Sequence, residues 1–135
     1  MPAAVWTQPA RYVLAGIRIA NGAAALVAPA TSAARLGVDP GPQGGALLYV
    51  LRLFGIRTII SGVELVTLRG DALEKVLAAG VLMHASDAVA AGLAGFRREL
   101  PARTARLLVA ISTLNATLSL TAHTRHKRQG LSTSR

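Results

Sequence analysis

At 135 residues the chain has room for one domain, and 52% hydrophobic against 16% charged residues, with mean hydropathy +0.45, separates it from soluble domains, where charge is about 25%. Aromatics are only 4% and the apolar content is mostly Ala, Leu and Val, small side chains that suit close helix packing and exclude a β-sandwich core, while the absence of Cys excludes disulfides and thiol chemistry. The net charge of +9 comes from Arg and Lys at the ends of apolar stretches and not from a continuous basic stripe, which points to membrane loops and contact with anionic lipid and argues against nucleic acid.

The first apolar segment covers residues 11–29, entered after Pro9 and closed by Ala28-Pro29-Ala30-Thr31-Ser32, and it contains Arg18 and Asn21. A cleaved signal peptide is the competing reading; Arg18 in the middle of the apolar run and the ten residues before Arg11 argue against it. Residues 31–45 hold Asp39-Pro40-Gly41-Pro42 and read as a loop outside the membrane. The second segment, 46–68, carries Arg52, Arg57 and Glu64 and ends at the turn Arg69-Gly70-Asp71. The third, 73–96, carries His84 and Asp87 and stops at Arg97-Arg98-Glu99-Leu100-Pro101. The fourth, 107–122, contains Ser112, Asn115 and Thr117 and precedes a basic tail over 123–135.

These segments are close to the roughly 20 residues that cross a bilayer, and Pro and paired charges fall between them. The pattern predicts one all-α domain, a four-helix transmembrane bundle of a bacterial inner membrane. Four spans place Arg11, Arg69, Lys75, Arg125, Lys127, Arg128 and Arg135 on one side and Arg35, Arg97, Arg98, Arg103 and Arg106 on the other, which favours both termini in the cytoplasm. A soluble, basic helical protein that binds nucleic acid is the alternative from another class.

Charges inside the spans are the informative residues, because an ionisable group at mid-bilayer is costly unless paired or hydrated. Arg18, Asn21, Arg57, Glu64, His84, Asp87 and Asn115 are expected to form one polar layer: counted outward from a turn near Asp71, Arg57 and Asp87 fall at similar depth. Arg57, Ser61 and Glu64 share a helix face, as do His84 with Asp87 and Arg18 with Asn21. The layer then either holds helices in register, as an accessory or structural subunit would need, or serves transport, proton relay or ligand binding. His84, Asp87 and Glu64 lack a second His on a helix face, so neither metal nor cofactor is expected, and no phosphate loop or nucleophile elbow marks an enzyme. Four short helices with polar stripes also leave room for a homo-oligomer or a larger membrane complex.

The run Arg52-Leu53-Phe54-Gly55-Ile56-Arg57-Thr58-Ile59-Ile60-Ser61-Gly62, followed by His84-Ala85-Ser86-Asp87-Ala88, resembles a domain-of-unknown-function family of small bacterial four-helix membrane proteins. Their second span often reads R-x-x-G-x-R-D-x-x-x-G and their third carries an Asp. Thr58 stands where that pattern places an acid, so charge compensation here would fall to Glu64 and Asp87. The resemblance implies a membrane fold and no activity.

Overall fold

The computed structural model describes residues 9–133, which form five helices and no strand: α1 (Pro9–Val27), α2 (Pro29–Arg35), α3 (Gly45–Thr67), α4 (Gly70–Phe96) and α5 (Ala102–Thr133). The chain is all-α, as predicted. By length and apolar composition α3, α4 and α5 can each cross a membrane, and α1 with α2 reaches that standard only as a pair, bent by 116° at Ala28.

Two elements differ from the sequence expectation. Residues 31–45 are not a loop throughout: Pro29, whose ring suits the first turn of a helix, starts α2, and helix persists to Arg35 before the chain turns at Gly37, in the left-handed region at φ +77°. The basic tail is not a separate segment. Nothing between Pro101 and Gly130 breaks a helix, so α5 begins five residues before the predicted fourth span and carries His123, Arg125, His126, Lys127 and Arg128 on the same rod. Arg135 lies outside the described residues.

The predicted stops elsewhere are where the chain turns. At the end of α4, Arg98 adopts φ +59° and the amides of Arg97, Arg98 and Glu99 donate to the carbonyls of Leu93, Gly95 and Ala94, closing the last turn. In the loop after α2, the Asp39 carboxylate accepts the Gly41 amide at 3.0 Å.

The helices form two close pairs, α1 on α3 and α4 on α5, with thinner contact between α1 and α5 and between α3 and α4. Glycines set both pairings. A methyl at Gly22 would come within 2.6 Å of the Gly55 carbonyl oxygen, and one at Gly62 within 3.1 Å of the Ala15 carbonyl oxygen, so α1 and α3 touch backbone to backbone. Gly80 faces Ser119 and Gly95 faces Ala105 across the antiparallel α4–α5 pair. The two pairs meet at an apolar core of Leu14, Ala15, Leu65, Leu73, Leu77 and Ala122, gathered near the α3–α4 turn. At the opposite end Thr104 Oγ1 donates to the Leu36 carbonyl at 2.6 Å and ties the α2 loop to the start of α5.

A candidate polar site within the bundle

The first described turn of α1 carries Arg11, which is 4% exposed. Its guanidinium donates to the carbonyls of Leu65, Val66 (3.1 Å) and Leu68 (2.9 Å), and Arg69 donates to Val66 (2.7 Å) and Leu68 (3.0 Å). Two cations therefore satisfy the free carbonyls at the negative end of α3, which would otherwise be unpaired in an apolar setting. Arg11 was legible as a loop charge and not as a cap. The available signal was its spacing: Arg11, Leu14, Arg18, Gly22 and Ala25 recur every three or four residues and are all buried in α1.

One heptad further on, Arg18 is 5% exposed and points across the bundle to α4, where its Nη2 lies 2.9 Å from His84 Nε2. Arginine only donates, so Nε2 must accept, and the imidazole is neutral with its proton on Nδ1. That nitrogen faces Asp87 Oδ2 at 3.6 Å, a distance for electrostatic contact and too long for a hydrogen bond. Glu64 of α3 is half-buried and interacts with Arg18 through charge. The Arg18–His84 bond thus joins α1 to α4, with the Asp87 and Glu64 carboxylates within electrostatic range of it.

The predicted layer is thus brought together in part. Arg18, Glu64, His84 and Asp87 are neighbours, although the Asp87 side chain is 59% exposed. Asn115 is buried on α5 with Oδ1 unpartnered, and Ser119, one turn on, is fully buried with Oγ unpartnered. Asn21 and Arg57 are exposed, and neither makes a hydrogen bond or ion pair among the described residues. The physical reason for Arg57 is the turn. Helix α3 ends at Thr67 and α4 begins at Gly70, so Arg57 lies twelve residues before Arg69 and Asp87 eighteen after it. That separates them by about 9 Å in depth at 1.5 Å per residue.

Gly80 was not singled out by its sequence, yet it makes room for the network: a methyl there would stand 2.9 Å from Arg18 Nη2 and 3.1 Å from Ser119 Oγ. Both atoms end flexible side chains, so the helices need not part. Gly80→Ala is expected to push the guanidinium off His84 and lower stability by about 1.5 kcal/mol, the worth of a charged hydrogen bond. In an Arg18→Met background the same change is expected to cost nothing, as thermal unfolding in detergent would read.

Two grooves of about 320 and 360 Å³ run along the α4–α5 pair, the first lined by residues such as Val81, Ala88 and Thr113, the second by Gly92, Ala105 and Val109. Neither is lined by Arg18, His84 or Asp87. Among the described residues no three His, Asp or Glu side chains gather as metal ligands. No protein family, curated protein or solved structure matches this chain.

Proposed function

We propose that this chain is a four-span integral protein of a bacterial inner membrane, with the bent α1–α2 pair as the fourth span, and that it serves as a structural or accessory subunit. The observation that carries this reading is the part-buried Arg18–His84 bond, which spans the interval between the two helix pairs and lines neither groove. A charge-compensated link in that position fixes which faces of the pairs meet, a use for which polar groups between membrane helices are well suited. The glycines in the run resembling the bacterial family support the same reading, since Gly55 and Gly62 are where α1 rests on α3.

Alkaline-carbonate extraction of membranes from cells expressing a tagged chain is expected to leave it in the pellet. Release into the supernatant would remove the membrane reading and bring the soluble basic alternative forward.

A second reading, a small polar-ligand or proton-relay unit, draws support from Ser119 Oγ, which lies with Arg18 Nη2 against Gly80, and from Asn115 Oδ1 one turn before it on α5, both buried and without partners. A buried polar atom left unpaired costs about 1–3 kcal/mol, and retaining two of them favours use over packing. Ser119→Ala separates the readings. A structural role predicts equal or higher stability with no other change, whereas a relay predicts a stable protein whose pH-driven proton flux in liposomes falls.

A further inference from the structure

Helices α3 and α4 are joined by two residues and yet touch little, because each is held elsewhere, α3 against α1 through Gly55 and Gly62, and α4 against α5 through Gly80 and Gly95. Their open flank carries charge. Arg57, at the middle of α3, lies about 140–160° around the helix from Gly55 and Gly62, on the side away from α1. It is exposed and unpaired among the described residues. Asp87 lies within about 20° of Gly80 on α4, and its side chain is 59% exposed beside its contact with His84. In hydrocarbon both ionised groups need a counter-charge.

Closing the flank within one chain would pull one helix off its glycine contacts. A second copy meets the need without that. A two-fold axis along the membrane normal preserves depth and sets Arg57 opposite Asp87 twice, giving a neutral interface. The remaining offset of about 9 Å is shortened from both ends, since helix side chains lean towards their own N-termini. In these antiparallel helices that tilts the long Arg57 and the short Asp87 towards a common level.

We infer that the α3–α4 flank is an interface with a second copy of this chain, in which Arg57 of one protomer pairs with Asp87 of the partner subunit; this rests on the membrane reading above. Two differently tagged copies co-expressed and solubilised in mild detergent should copurify, with a dimer mass by light scattering. Arg57→Asp alone and Asp87→Arg alone should each lose at least about tenfold of that copurification, because every pair becomes like-charged. Co-expressing Arg57→Asp with differently tagged Asp87→Arg should restore it, since each pair is again opposite in sign. A monomeric wild type, or reversals that self-associate as well as wild type, would overturn the interface. Should a reversal fail to accumulate as folded protein, Arg57→Gln and Asp87→Asn, which add no repulsion, are expected to lose copurification too, and its retention would overturn the pairing. Carbonate extraction of the same membranes separates the two proposals. A retained monomer removes only the dimer; a released chain removes the membrane reading and the dimer with it.

Discussion

Replacing His84 with Leu is expected to lower stability by about 3 kcal/mol, more than replacing Arg18 with Met, although both changes delete the same bond. The asymmetry follows from what each variant leaves behind. Without His84, a guanidinium only 5% exposed keeps its charge and loses its one hydrogen bond among the described residues, with half-buried Glu64 as partial compensation. Without Arg18, a neutral imidazole loses one donor, a deficit of about 1–2 kcal/mol. The double variant Arg18→Met with His84→Leu buries neither the charge nor the orphaned nitrogen, so it is expected to recover most of the loss seen with His84→Leu. A double-mutant cycle of unfolding midpoints in detergent reads this coupling. Losses that simply add would show that the two side chains do not act as one link between the helix pairs.

The second large effect is expected at the α1–α3 crossing. Gly22→Ala places a methyl 2.6 Å from the Gly55 carbonyl oxygen and 2.9 Å from the Ile59 amide nitrogen, backbone atoms that yield only if the helices separate. Overpacking of this kind costs about 1–3 kcal/mol, and Gly22→Leu should exceed that and abolish the folded species. Gly55→Ala, whose methyl would meet the Gly22 carbonyl oxygen at 2.6 Å, is expected to match Gly22→Ala. Gly16 is the control: it is on the same helix and exposed, with nothing within 4 Å of an added methyl, so Gly16→Ala should be neutral or slightly stabilising. Unfolding midpoints that fall equally for Gly16→Ala and Gly22→Ala would show that the loss does not come from the crossing.

Much of the architecture is legible in the sequence. Proline and paired charges end apolar runs for local reasons, so the stops near Arg69 and at Arg97–Pro101 could be placed from the residues themselves. The spacing of Arg18 and Gly22 likewise sets them on one helix face, because 3.6 residues per turn is a property of the backbone and not of its neighbours, and the structure extends that face to Arg11 and Leu14. Where sequence and structure differ, a local signal is ambiguous. Pro29 can end a helix or begin one, and here it does the second after Val27 ends α1, while a run rich in Arg and Lys reads as a tail although α5 continues through it.

The chain by itself determined that this is an all-helical protein with apolar segments long enough to cross a membrane, read from the sequence as four where the structure has three such helices and one bent pair, and that ionisable groups sit within those segments, since both follow from composition and spacing. Which of those groups meet was decided only by the tertiary structure. Moving the α3–α4 turn by about two residues shifts relative depth by several ångströms, which together with the slight contact between α3 and α4 keeps Arg57 from Asp87 within one chain, and glycine contacts fix which faces of α1 and α4 turn inward so that Arg18 reaches His84.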